Sequence, residues 1–158
     1  DVISIMVDGR IQHEGSLEDG RELKVDDVQV QRAGGEGFSH NEINPDASKN
    51  RMIQVWMIPE TAGEPASYQM FKAEAGKRTR VYGGTADQDE TITARTVIDI
   101  VHLDQGEAVD QPGRSLTYVT VGDGTCDGET VTEGDLIDTR DFNYKALKDS
   151  KLIFIHEI

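Results

Sequence analysis

A single cysteine, Cys126, is all the thiol chemistry in this chain of 158 residues. One thiol cannot close an internal disulfide, which fits a reducing compartment and makes a cytoplasmic protein the expectation. Long apolar runs are missing as well. The longest, Leu152 to Ile155, is strand-sized and far short of the roughly 20 residues a helix needs to span a bilayer, so a soluble protein with no membrane partner is expected. Basic residues are scarce: 16 Lys and Arg stand against 30 Asp and Glu, a formal charge of −14. Such a chain repels phosphate backbones and anionic membrane surfaces, which argues against direct nucleic-acid binding. The acidic residues are spread along the chain, as suits a solvating surface better than an acidic tail. An initiating methionine is absent too. The first residue is Asp1, and a fragment or trimmed chain is expected.

What is present is the pattern of strands. Val2 to Val7, Val28 to Gln31, Met52 to Ile58, Thr96 to Leu103, Leu116 to Val121 and Leu152 to Ile155 are short and rich in β-branched residues. Between them lie turn dipeptides, Asp8-Gly9, Asp19-Gly20, Gly83-Gly84, Asp123-Gly124 and Asp127-Gly128, which supply the positive φ angles that tight hairpins need. Helical periodicity is confined to a short stretch near Tyr68 to Glu74 and a turn around Tyr144 to Leu147. An all-β sandwich or barrel is predicted. Pro59 and Pro65 bracket a small, polar segment that reads as a seam. Two β units are expected, residues 1–60 and 91–158, with 61–90 as the connection between them.

One motif carries chemistry. In an extended segment, residues two apart project to the same face, so His40 and Glu42 present an imidazole and a carboxylate side by side, roughly 6 to 7 Å apart at Cα. Nitrogen and oxygen donors at that spacing suit first-row metals without choosing among them. Taken alone, His-x-Glu is equally the composition of an exposed polar loop.

The surroundings of the pair are more specific. Asp27-Val-Gln-Val, then Ala33-Gly-Gly-Glu-Gly-Phe-Ser-His40-Asn-Glu42-Ile-Asn44, resembles the second conserved motif of the cupin barrels in the version found in pirins, where a Gly-rich turn leads into His-x-Glu. Upstream, Asp1 to Gly9 and His13-Glu-Gly-Ser16 resemble the end of the first pirin motif and its hairpin. Downstream, Gln54-Val-Trp56, Pro65-Ala-Ser-Tyr68-Gln69 and Leu103-Asp-Gln-Gly-Glu-Ala108 sit where pirins carry similar residues. The likeness covers essentially the whole chain. It departs at Val25-Asp26-Asp27, where a Pro-Gly-Asp turn is usual.

The resemblance implies an all-β bicupin, two barrel or jelly-roll domains, with a metal, usually iron, in the first and none in the second. Its N-terminal barrel would be incomplete here. Pirins hold the metal with three histidines and one glutamate. His40 and Glu42 match the third histidine and the glutamate; the other two form a His-x-His expected just upstream of Asp1. Two ligands alone should bind a divalent metal weakly, so full occupancy is not expected of the chain as it stands. Two functions follow from the resemblance. One is a quercetin 2,3-dioxygenase-type oxygenase acting on small aromatic flavonol-like substrates, with Glu42 as ligand and acceptor of the substrate's hydroxyl proton. The other is a non-catalytic iron-binding redox sensor with a protein partner. A relative with no function at the site is a third reading.

The remaining candidates read as structural. His13 falls where pirins often carry a histidine outside the metal shell, and is expected to line a hairpin or pocket wall. His102 and His156 lie in strand patterns of the second unit. Trp56 alternates with Gln54 and Ile58 as a core or cavity residue does, and Tyr68 and Gln69 are placed at an opening between the domains. Cys126 reads as a loop thiol. Asp123 to Gly128 resembles the spacing of a calcium loop, but Gly134 stands where the bidentate glutamate belongs, so a hairpin turn is expected there.

Overall fold

The computed structural model describes residues 1–158. Fourteen strands and no helix make up the chain: β1 (Val2–Asp8), β2 (Arg10–Gly15), β3 (Arg21–Lys24), β4 (Asp27–Arg32), β5 (His40–Ile43), β6 (Arg51–Trp56), β7 (Ser67–Lys72), β8 (Arg78–Gly84), β9 (Ala94–Leu103), β10 (Ala108–Val121), β11 (Asp123–Cys126), β12 (Glu129–Thr132), β13 (Leu136–Ala146) and β14 (Ser150–Glu157). No helix is long and apolar enough to cross a membrane. The chain falls into two units, Asp1–Lys72 and Ala73–Ile158. The expected 61–90 connection does not exist as such. β7 pairs with β4 in the first unit and β8 with β9 in the second, so strand pairing takes up Ser67–Lys72 and Arg78–Gly84. Pairing also overrides the helix expected near Tyr68, which is β7.

The first unit is built from a four-stranded sheet, order β6-β1-β4-β7, and a three-stranded sheet, order β3-β2-β5. Pairing is antiparallel throughout. Met6, Ile11 and Leu23 form a buried cluster between them with Met52 and Met70 packed against it. Because side chains alternate along a strand, the parity that turns Met6 inward also turns Val2 and Ser4 inward. Register carries this across the sheet: Ser4 stands opposite Gln29 and Gln54, and Gln31 opposite Tyr68. Ile11 and His13 share the inward face of β2, and His13 stands opposite Glu42 on β5. The layer between the sheets is therefore apolar at one end and polar at the other.

The second unit is one seven-stranded antiparallel sheet, order β12-β11-β13-β10-β14-β9-β8. β10 runs for 14 residues because a bulge between Gln111 and Arg114 lets it bend and continue. Val101, Val119, Phe142, Tyr144, Leu152 and Phe154 are among its buried core. Cys126 belongs to that core and lies in β11, not in a loop; burial pushes its thiol up, and neighbouring Asp127 adds to the effect. Asp127 (φ 50°) and Gly128 (φ 85°) make the tight β11–β12 turn, the hairpin expected in place of a calcium loop.

On the inward face of this sheet lies a charged cluster that the sequence does not announce. Asp99, 1 % exposed, receives Arg78 Nη2 at 2.6 Å, Arg80 Nε at 3.3 Å and His156 Nε2 at 3.1 Å. Arg78 also lies over the Phe154 ring, 5.2 Å from its centroid. Burial alone would push the Asp99 carboxyl up, but the His156 hydrogen bond and the two guanidinium charges outweigh it and hold the group below its ordinary value. His156 thus has a buried carboxylate neighbour from a distant part of the sequence.

A carboxyl held down in the folded state stabilises the fold above its unfolded value of about 4, and that contribution is lost as pH falls through the folded value. Asp99→Asn is expected to destabilise the chain by about 3 kcal/mol at neutral pH, because removing one partner strands the others. It should also flatten the loss of stability below about pH 4. Denaturant midpoints of both proteins across pH 2–7 check this.

Candidate metal centre

His40 and Glu42 sit on β5, on its inward face. The Gly-rich turn before them has a structural cause. Gly34 holds φ 64°, and a Cβ there would lie 2.5 Å from the Glu64 carbonyl oxygen and 2.6 Å from the Ala66 nitrogen, so only glycine lets this turn press against the 64–66 backbone. Gly37 N then closes the turn on Ala33 O at 2.9 Å. The chain leaves it extended and pairs with β2, Gly15 opposite His40.

The carboxylate of Glu42 is held by neutral donors. Ser4 Oγ donates to Oε1 at 3.0 Å and Gln29 Nε2 to the same oxygen at 2.8 Å. Gln54 Nε2 reaches Oε2 at 3.4 Å and Ser4 Oγ at 3.2 Å. Its only ionic neighbour is His40, whose Nδ1 lies 3.8 Å from Oε1. No lysine or arginine pairs with it. Behind Gln29, Tyr68 donates its hydroxyl to Oε1 of the amide at 3.1 Å. Burial pushes the Tyr68 phenol up to about 12, with Glu18 and Glu42 adding to the rise against the pull of Arg21. Tyr68 is therefore a proton donor at neutral pH, not a base.

Gln31 Nε2 lies 3.3 Å from His40 Nδ1, and Phe38 stands edge-on to the same ring at 5.1 Å and 72°. His13 is fully buried, and neither ring nitrogen has a hydrogen-bond partner. Its ring packs 5.5 Å from those of His40 and Tyr68. Gly15 makes room for it.

The structure brings His40, Glu42, His13 and Tyr68 together. Gln69 lies on the opposite face of β7 by alternation, and His102 and His156 belong to the second unit. Trp56, expected in a core or cavity wall, is 76 % exposed on the edge strand β6, with its Nε1 donating to Gln54 Oε1 at 2.6 Å. Ser4, Gln29, Gln31 and Gln54 were not singled out from the sequence. A signal was there in β4, where Gln29 and Gln31 alternate with Val28 and Val30, and in β1, where Ser4 is the lone polar residue of the buried run Val2 to Val7.

These residues fit half of a transition-metal site. An imidazole and a carboxylate side by side on one strand are nitrogen and oxygen donors of the kind a divalent transition metal takes. No group of three or more His, Cys, Asp or Glu side chains converges at metal-holding distance. The two unpartnered His13 nitrogens are the kind of orphaned polar atoms that mark an incomplete polar site.

Strands, registers and this inward-facing pair define a two-unit all-β protein of the cupin type, and comparison with known proteins agrees. The Pirin family model matches residues 1–57. A Zymomonas mobilis protein provisionally named quercetin 2,3-dioxygenase is 27 % identical over 168 aligned positions, covering 98 % of this chain and 71 % of its own length. Among solved structures, that of YhhW from Escherichia coli superposes with a TM-score of 0.82 at 19 % identity over 98 % of this chain and 70 % of its own; YhhW has also been solved as a bacterial pirin in complex with nickel(II). A quercetin 2,3-dioxygenase structure from Acinetobacter baumannii matches with a TM-score of 0.71 at 22 % identity, covering 99 % of this chain and 64 % of its own. The chain is similar to pirins over residues 1–57 and shares the bicupin fold of these structures.

A Cβ added at Gly15 would sit 2.9 Å from His13 Cε1, 2.9 Å from Ser39 O and 3.1 Å from His40 Cβ. Gly15→Ala is expected to cost about 1–3 kcal/mol by overpacking and to separate the His13 and His40 rings. Thermal unfolding reads the first effect, and the histidine ring NMR shifts read the second.

Proposed function

We propose that the polar end of the first unit is a site for one divalent transition metal and that the protein is an oxygenase of the quercetin 2,3-dioxygenase type, acting on flavonol-like aromatics. One observation carries the reading: Glu42 is a largely buried carboxylate surrounded by hydrogen-bond donors but by no fixed cation. A buried charge needs a counter-charge, and a carboxylate braced by amides with an imidazole beside it is prepared for a metal. Iron and nickel both suit this donor set. The solved nickel complex of YhhW and the provisional name of the Zymomonas mobilis relative support the same reading.

His40 and Glu42 would hold the ion, which would supply Lewis-acid activation of a bound flavonol hydroxyl. The protein side of the work is then clear. Glu42 Oε1 is occupied by Ser4 and Gln29, whereas Oε2 has only the long contact from Gln54, so Oε2 is the oxygen open to accept the substrate's hydroxyl proton. Tyr68, kept protonated, holds Gln29 in the orientation that turns its amide hydrogens toward the carboxylate.

Equilibrium dialysis with Fe(II) and with Ni(II), followed by metal analysis, tests the site. His40→Ala and Glu42→Ala should each lose metal binding, and Gln29→Leu should weaken it about 10- to 100-fold, as loss of an outer-sphere brace does. Carbon monoxide release from quercetin under O2 tests the reaction. Metal binding without turnover would favour the non-catalytic iron-binding sensor; unchanged binding in His40→Ala would remove the metal site altogether.

A further inference from the structure

Trp56 is the only tryptophan of the chain, and three-quarters of it lies in water. It is nonetheless fixed. Its N–H is spent on Gln54 Oε1 at 2.6 Å, and the other end of that amide reaches Ser4 and Glu42. One glutamine therefore ties an exposed aromatic plane to the carboxylate of the candidate metal centre. A side chain that is merely solvent-exposed has no such constraint.

The indole borders a cleft of about 450 Å³ whose wall also includes Val2, Phe38, His40, Met57 and Ile58. That volume is within the range of roughly 300–1,000 Å³ typical of small-molecule sites. Most of its wall is hydrocarbon or aromatic: Ile58 is 93 % exposed, and Phe38 presents its edge to the His40 ring. His40 is the metal-donor side chain on this wall. Mostly apolar, with Asp1 and His40 as its polar side chains, the cleft suits a planar ring system with oxygens at one side.

We infer that Trp56 is the specificity-determining residue of this site. A planar aromatic ligand stacks on the exposed indole face, and the stack directs its oxygen substituents toward His40 and Glu42. Gln54 is the positioning residue that holds the platform in a fixed relation to the carboxylate. The oxygen end of this inference rests on the function proposed above; the stacking itself needs no metal.

Because there is a single tryptophan, indole emission reports Trp56 alone. The metal-free protein is titrated with quercetin and with its 2,3-dihydro derivative, which keeps the hydroxyl pattern but puckers the central ring. Quercetin is expected to quench the emission to saturation and to bind at least tenfold more tightly than the puckered compound, with calorimetry giving the affinities. Trp56→Ala should lose about tenfold in quercetin affinity, equivalent to about 1.4 kcal/mol, while Trp56→Phe, which preserves a stacking face, stays within about threefold. The indole is exposed, so both variants should fold, and circular dichroism verifies it. Gln54→Leu should shift the emission maximum and weaken quercetin binding; no change in either overturns the role of Gln54. Equal affinity for the two compounds, or wild-type affinity in Trp56→Ala, overturns the role of Trp56. Metal binding by His40→Ala, measured in parallel, separates this outcome from failure of the proposed function: if that variant keeps its metal, the metal site falls and the stacking result stands on its own.

Discussion

A carboxylate withdrawn from water must be met by donors, and in this chain the Glu42 carboxylate sets the terms for the whole first unit. Its partners come from three different strands of the facing sheet, β1, β4 and β6. For Ser4, Gln29 and Gln54 to converge on one residue of β5, those strands must be in the register observed, and the two sheets must face each other at this end. A slip of one residue in β1 would replace Ser4 by Ile3 or Ile5 and leave the carboxylate short of a donor. The apolar cluster of Met6, Ile11 and Leu23 supplies the burial that brings the sheets together, but methionine and leucine tolerate repacking. The hydrogen bonds to Glu42 admit one arrangement.

The second unit meets the same physical demand in the opposite way. Asp99 is as buried as Glu42 is screened, but it is answered by Arg78, Arg80 and His156. Its charge is met by fixed cations within the protein. Between them, the two carboxylates show two ways a β layer can hold a withdrawn charge, with neutral donors around Glu42 and fixed cations around Asp99.

The strands most legible in the sequence are those buried on both faces. Val2–Asp8, Asp27–Arg32, Ala94–Leu103 and Ser150–Glu157 read as apolar runs because neither face meets water. The short polar strands β2, β3, β5 and β12 carry no such pattern; their existence is decided by pairing with a neighbour, which local composition cannot express. The same reason makes Tyr68 to Lys72, within the expected helical stretch, part of a strand, since a short mixed segment has no period of its own. His40 and Glu42 were visible because histidine and glutamate are metal donors by chemistry. The amides around them were not, because glutamine alternating with valine signals only a half-buried strand until the opposing carboxylate is in place. Of the two places expected for Trp56, the core is ruled out because β6 is a sheet edge, and the residue borders a cleft.

The hydrogen bonds that run from Tyr68 through Gln29 to Glu42 all point the same way: the phenol gives to the amide oxygen, and the amide nitrogen gives to the carboxylate. Each group in this line is a rotor. If Glu42 takes up a proton, a half-turn of the Gln29 amide and a swing of the Tyr68 hydroxyl reverse the sense of the line without moving the backbone. The lining of the site can thus follow a proton on and off its carboxylate by reorienting dipoles, and the strands that frame it need not shift to let the charge change.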